Sequence, residues 1–246
     1  IFLSAFLLFL VQPVIAKQIL PWFGGAAAVW ATCLVFFQSV LLFGYAYSDW
    51  TTRLLAPRKQ AWLHIALLAA SLLMIPIIPE ARWKPGADSG EPSALILGLL
   101  GATIGLPYFL LSTTSPLVQA WFWQRFRHAV PYRLFALSNF ASLLALLSYP
   151  VLVEPFLPLA AQSWLWSIAY CGFVLLCGVT ALLSTRGPAA APSPAAQAGD
   201  GQEKSPAIGD RLLWIALSAM GSCLLLAVTN HLTQIIASIP FLWVVP

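Results

Sequence analysis

Leu10-Val-Gln-Pro-Val-Ile-Ala-Lys-Gln-Ile-Leu-Pro21 lies in an apolar run that begins at Ile1, yet it carries Gln12, Pro13, Lys17 and Gln18. A helix needs about 20 apolar residues to cross the hydrocarbon of a bilayer, and the run from Ile1 supplies them. Hydrocarbon tolerates the polar members poorly: an ionised Lys at mid-bilayer costs roughly 2.5–3.5 kcal/mol on insertion scales. Gln12, Lys17 and Gln18 must therefore face something other than lipid. They are the first candidates for a ligand site, or for a seam where helices are joined.

The rest of the chain repeats the pattern. It is 60% hydrophobic and only 8% charged, with mean hydropathy +0.86. Soluble domains average about 25% charged residues, so an integral membrane protein is expected. Apolar runs predict seven spans, at 1–20, 26–48, 61–79, 93–123, 134–153, 163–185 and 211–246. The fold class expected is an all-α polytopic transmembrane helix bundle. Residues 1–185 form a six-span bundle, 186–210 a disordered cytoplasmic linker, and 211–246 a seventh span with a terminal turn. The linker assignment rests on Gly187-Pro-Ala-Ala-Ala-Pro-Ser-Pro, which has nothing to bury and many helix breakers. Both ends of the sequence fall in apolar runs, which predicts a piece of a longer polypeptide.

Loop charge orients the spans. Arg53, Arg58 and Lys59 lie after the second span, Arg125, Arg127 and Arg133 after the fourth, and Arg186, Lys204 and Arg211 after the sixth. The alternate loops carry little net positive charge. By the positive-inside rule the basic loops are cytoplasmic, and so is the amino terminus. The eleven tryptophans fall near span ends, where amphipathic indoles favour the headgroup level. The net charge of +4 is thus an orientation signal and not a nucleic-acid footprint. Partners expected are the lipid bilayer and other membrane subunits, with no nucleic acid. The four cysteines lack CxxC spacing and read as small apolar side chains. Neither a metal-ligand cluster nor a haem motif nor a nucleophile triad is visible, so no cofactor and no catalytic residue is expected.

Six spans, a long cytoplasmic linker and a new span match the layout of one facilitator half followed by the start of a second. Gly44-Tyr-Ala-Tyr-Ser-Asp49-Trp-Thr-Thr-Arg53 resembles a degenerate form of the Gly…Asp…Arg loop signature of the major facilitator superfamily. A faint repeat accompanies it. Leu3-Ser-Ala5 and Leu217-Ser-Ala219 open corresponding spans, and Lys17-Gln18 and His231…Gln234 lie at similar depth.

A more specific resemblance is carried by Phe9-Leu-Val-Gln-Pro-Val-Ile-Ala-Lys-Gln-Ile-Leu-Pro-Trp-Phe-Gly-Gly25, Ala28-Val-Trp-Ala-Thr32 and Phe36-Phe-Gln38. Leu106-Pro-Tyr-Phe-Leu-Leu-Ser-Thr-Thr-Ser-Pro-Leu-Val-Gln119, Leu137-Ser-Asn-Phe-Ala-Ser142 and Thr229-Asn-His-Leu-Thr-Gln234 extend it along the chain. Together they resemble bacterial fused facilitator/spermidine-synthase-like membrane proteins. The resemblance implies a bacterial inner-membrane region that is followed, in the family, by a Rossmann-like domain similar to aminopropyltransferases. The present sequence stops before such a domain. Gly98, Gly101 and Gly105 have the wrong spacing for a nucleotide loop and lie within a span. The resemblance therefore leaves open whether these residues take part in an enzymatic activity.

Several polar groups are candidates for a membrane seam or a ligand contact. Lys17 and Glu154 lie close to the membrane near the outer ends of their spans. They either pair, line an outward-facing vestibule, or snorkel separately to the interface. Asn230, His231, Thr233 and Gln234 lie late in the seventh span. His titrates near neutrality, so His231 reads as a proton or substrate contact, or as a packing histidine. Ser112-Thr-Thr-Ser-Pro116 sets hydroxyls (Ser112, Thr113, Thr114) beside a proline that frees backbone carbonyls. It reads as a substrate path or as a plain kink, and Gln119, Ser138, Asn139 and Ser142 are placed to face it. His64 lacks polar neighbours in sequence and reads as structural. Gly101-Ala-Thr-Ile-Gly105 has the small-xxx-small spacing of a close helix contact.

The function expected is a membrane domain that binds or transports a small polar or cationic molecule. The alternatives are a structural or accessory subunit of a larger membrane complex, and an anchor for a soluble enzyme domain.

Overall fold

The computed structural model describes residues 1–24, 27–85, 92–125, 132–185 and 207–235. Among them the chain is all helical, with no strand. The helices are α1 (Phe2–Phe23), α2 (Ala27–Leu54), α3 (Pro57–Ser71), α4 (Pro92–Leu100), α5 (Leu106–Arg125), α6 (Tyr132–Ser148), α7 (Glu154–Phe156), α8 (Leu159–Ser184) and α9 (Ile208–Ile235). A π-helical turn at Gly101–Gly105 joins α4 to α5, and another at Tyr149–Val153 joins α6 to α7. Six helical segments are long and apolar enough to cross a membrane: Phe2–Phe23, Ala28–Leu54, Pro92–Trp123, Arg133–Phe156, Leu159–Ser184 and Ile208–Thr229. At 1.5 Å per residue, the 22 residues of α1 span about 33 Å, which matches the hydrocarbon thickness.

The third expected span is the shortest. Pro57, at the first turn where its missing N–H costs nothing, opens α3. The helix runs only 15 residues and gives way to a 3₁₀ turn at Leu72–Met74 before Pro76. That is about 22 Å of α-helix, short of a full crossing.

The chain divides into two compact units, 1–189 and 190–246. In the first, α1 is central and packs against α6, α5, α8 and α2. Its buried residues (among them Leu8, Val11, Ile15 and Ile19) recur every three or four positions, one face of a 3.6-residue helix. They join Phe36 and Phe37 of α2, Leu99 of α4, Tyr108 and Leu111 of α5, and Trp166, Tyr170 and Phe173 of α8 in one core. Lipid tails are as apolar as leucine, so burial alone does not hold such helices together. Close packing and inter-helix hydrogen bonds do. The Trp166 indole, stacked on Tyr170, donates across to the carbonyl of Leu7 at 2.9 Å. The Ser71 and Tyr170 hydroxyls join α3 to α8 at 2.7 Å.

Two expectations are corrected. A Cβ added at Gly101 would meet nothing within 4 Å, and one at Gly105 only the Leu100 carbonyl at 3.9 Å. The Gly-x-x-x-Gly spacing therefore marks the π turn and not a close helix crossing. The close crossing lies at Gly44 of α2, where an added Cβ would collide with the Ser112 side chain of α5. In addition, the second span does not end before Asp49. Helix α2 continues to Leu54, so Gly44, Asp49 and Arg53 are helical rather than a loop. Asp49 and Arg53 pair one turn apart at 2.8 Å.

In the second unit α9 is a 28-residue helix. The Ala207 N–H donates to the Asp210 carboxylate at 3.2 Å at its start, and Ser218 and Ser222 bond back to carbonyls one turn earlier. Residues 186–206 of the expected linker, and residues 236–246 where the terminal turn is expected, lie outside the described residues.

Candidate functional site

Three polar side chains of α1 each reach a different partner element. Gln12 Nε2 donates to the Tyr108 hydroxyl of α5 at 3.1 Å. Lys17 Nζ forms an ion pair with Glu154 at the start of α7. Gln18 Nε2 donates to Ser163 Oγ of α8. The three positions lie on different sides of α1, about 140° and 240° round the helix from Gln12, so each meets a different neighbour instead of lipid, while Leu3, Phe9 and Leu10 pack nearby. Pro13 lies inside the same helix and leaves the carbonyl four residues earlier without its N–H. The result is a set of polar links from α1 to α5, α7 and α8, among them the one ion pair that joins two helices among the described residues.

The Lys17 and Glu154 side chains are 35% and 38% exposed in the protein alone. An isolated charge at membrane depth is costly, and pairing offsets much of that cost for both. The π turn at Tyr149–Val153 assists. It shifts the helical register just before Glu154, as such bulges do. Pro155 follows at once, and Leu157 leaves the helix with extended backbone.

Ser163 Oγ lies in hydrogen-bond reach of both Gln18 Nε2 and the Leu159 carbonyl, to which it donates at 3.3 Å. Gln162 Nε2 donates to the Leu157 carbonyl at 2.8 Å, which requires a nitrogen at that position. The carbonyl oxygens of both glutamines, Gln18 Oε1 and Gln162 Oε1, are buried without a donor. Gln162 is only 4% exposed.

The other expected site residues are not gathered here. Ser112, Thr113 and Thr114 are buried, but their hydroxyls donate to the carbonyls of Phe109 and Leu110 in their own helix, at 2.6–2.9 Å. Gln119 donates to Ser115 one turn back at 3.0 Å. Pro116 disrupts the ladder nearby, and Ser48 of α2 donates to the Thr113 carbonyl at 3.3 Å. Asn139 is exposed on α6, and Ser142 bonds back to the Ser138 carbonyl. His231 lies on α9 in the other unit, and the side chains of Asn230, Thr233 and Gln234 lie outside those described.

A second polar cluster escaped the sequence reading, which left His64 without company. His64 is fully buried on α3. Its Nε2 lies 3.6 Å from Cys177 Sγ on α8, and the rings of Tyr47 and Trp121 flank it at 6.2 and 6.1 Å. One turn earlier, Gln60 donates to Thr51 and Thr52 and accepts from the Trp121 indole at 2.9 Å. Gln60, four residues before His64 on one helix face, was the available signal. Cys177 and Trp121 come from distant helices and left none.

Comparisons with protein-family models, curated proteins and solved structures find no match to this chain.

Proposed function

We propose that this chain is the membrane region of a facilitator-type, spermidine-synthase-like protein of the bacterial inner membrane, and that it binds and moves a small polar or cationic molecule. It has seven spans, α3 with its following turns counting as the third, and a cytoplasmic amino terminus. The observation that carries the reading is the set of polar links from α1: Gln12, Lys17 and Gln18 each engage a different neighbouring element. Ionisable groups within membrane spans mark substrate and ion paths as a default hypothesis, and Lys17 is one. The layout adds fold analogy only.

The test is uptake into vesicles carrying the purified chain, with labelled putrescine, spermidine and a neutral polyol as probes. Uptake of one probe above protein-free vesicles, lowered by Lys17→Met, supports the reading. Equal flux with and without protein for every probe overturns it.

One observation favours the accessory-subunit alternative. The hydroxyls of Ser112, Thr113 and Thr114 are directed into their own helix, and buried apolar residues from α1, α2, α4, α5 and α8 form one cluster. A stable partner recovered in fixed proportion from native membranes, with no flux in vesicles, selects that reading.

A further inference from the structure

Helix α2 packs on α5 and α4 with one face, on which Val29, Cys33, Phe36, Gly44 and Ser48 are buried. On the opposite face Ala28, Ala31, Val35, Gln38, Leu42 and Tyr45 are all exposed. Their spacing alternates between three and four residues. That is the 3.5-residue repeat with which two membrane helices pack side by side at a small left-handed crossing angle. Gln38 stands ten residues into the span that begins at Ala28, about 15 Å along its axis and so near the middle of the hydrocarbon. Tyr45, seven residues on, shares its side of the helix. Neither side chain makes a hydrogen bond among the described residues. A carboxamide left in hydrocarbon without a partner is costly. The lipid-type face of α8 shows the contrast. Its exposed residues include Trp164, Leu165, Ile168 and Leu176, and its one exposed polar side chain, Thr180, bonds back to the Leu176 carbonyl. The outer face of α2 is therefore built for protein, and its chemistry says which. Two copies of one chain insert with the same orientation, so about a two-fold axis their α2 helices run parallel and equal residues meet at equal depth. A carboxamide donates and accepts at once, so Gln38 is complementary to its own symmetry mate. Where the line reaches Asp49, the carboxylate is already paired with Arg53, and the approach of two copies brings no unbalanced charge together.

We infer that the outer face of α2 is a contact between two copies of this chain, α2 against α2, with the Gln38 amides hydrogen-bonded to each other across the two-fold axis. The inference goes beyond the transport reading and does not depend on it.

Two measurements on the full chain test it. In a chain whose native cysteines are replaced by alanine, single cysteines are introduced and oxidised in liposomes at low protein density. Ala31→Cys, Val35→Cys and Leu42→Cys should give disulfide-linked homodimers, whereas Leu176→Cys on the exposed face of α8 should not. Energy transfer between donor- and acceptor-labelled copies, followed as lipid is added, gives the dissociation constant. Gln38→Leu should raise it about three- to tenfold, the effect of one or two amide hydrogen bonds between membrane helices. Gln38→Asn, which keeps an amide on the line, should raise it less. Because Gln38 is exposed and bonds to nothing within the chain, both variants should keep the parent's melting midpoint. Cross-linking as ready at Leu176 as on α2 overturns the inference, and so does a dissociation constant unchanged in Gln38→Leu. Absence of any cross-link on α2 overturns it too, and labelling of Gln38→Cys by a membrane-impermeant maleimide would then assign this face to a water-filled path.

Discussion

Lys17 of α1 and Glu154 of α7 are an ion pair across 137 residues of sequence. The pair joins the central helix to the break between α6 and α8. Removing one partner strands the other charge at membrane depth, whereas removing both leaves no stranded charge. Lys17→Met and Glu154→Gln should each destabilise the chain by about 1–2 kcal/mol, and the double variant by less than their sum, with coupling of at least ~0.5 kcal/mol. Unfolding of the four proteins of the cycle in detergent checks this. Additive losses would mean that the two side chains snorkel independently.

The Gly44–Ser112 crossing makes a steric prediction. A Cβ on Gly44 would lie 2.9 Å from Ser112 Cβ and 3.4 Å from the Phe109 carbonyl, so α2 and α5 would have to separate. Gly44→Ala should cost about 1–3 kcal/mol, as overpacking does. Ser112→Gly in the same chain should recover part of that loss, because it removes the side chain that collides. Thermal midpoints of the single and double variants decide the matter, and a Gly44→Ala protein as stable as the parent would refute the close contact.

Much of this architecture was legible because membrane thickness dictates run length. Apolar runs near Phe2–Phe23, Pro92–Trp123 and Leu159–Ser184 show as spans in the sequence and as helices in the structure. Lys17 and Glu154 could be matched because each stood alone at the same depth. What was illegible depends on other helices. Nothing in Gly101-Ala-Thr-Ile-Gly105 distinguishes a π turn from a packing face, and nothing near Gly44 announces Ser112. Asp49 and Arg53 looked like loop residues because charges usually end a span. Here they pair along the helix and let it continue to Leu54. The surroundings of His64 come largely from α5 and α8, which no local pattern reveals.

Gln60 satisfies three groups at once: the hydroxyls of Thr51 and Thr52 and the indole of Trp121. Gln60→Leu keeps the volume but leaves the buried Trp121 N–H without an acceptor. It should cost about 1–3 kcal/mol, the penalty for an unsatisfied buried donor. Trp121→Phe should then cost less in the Gln60→Leu background than in the parent, since the orphaned donor goes with it. Equal losses in both backgrounds, measured by denaturant unfolding, would show that the bond contributes nothing.

The orientation proposed from loop charge has a direct test at two loops. Lys59, near the start of α3, belongs to a basic loop, whereas Lys84 follows the 3₁₀ turn at Ala81–Trp83, and its ammonium lies 5.2 Å from the centre of the Trp22 ring. Basic loops stay in the cytoplasm, and tryptophan marks both interfaces. In a chain whose native cysteines are replaced by alanine, Lys59→Cys should react with a membrane-impermeant maleimide only after the cells are opened. Lys84→Cys should react in intact spheroplasts. Because α1, α2 and α3 lie between or beside these two positions, the pair of results also fixes the sidedness of the Lys17–Glu154 end of the bundle. The reverse labelling pattern would turn the whole bundle over.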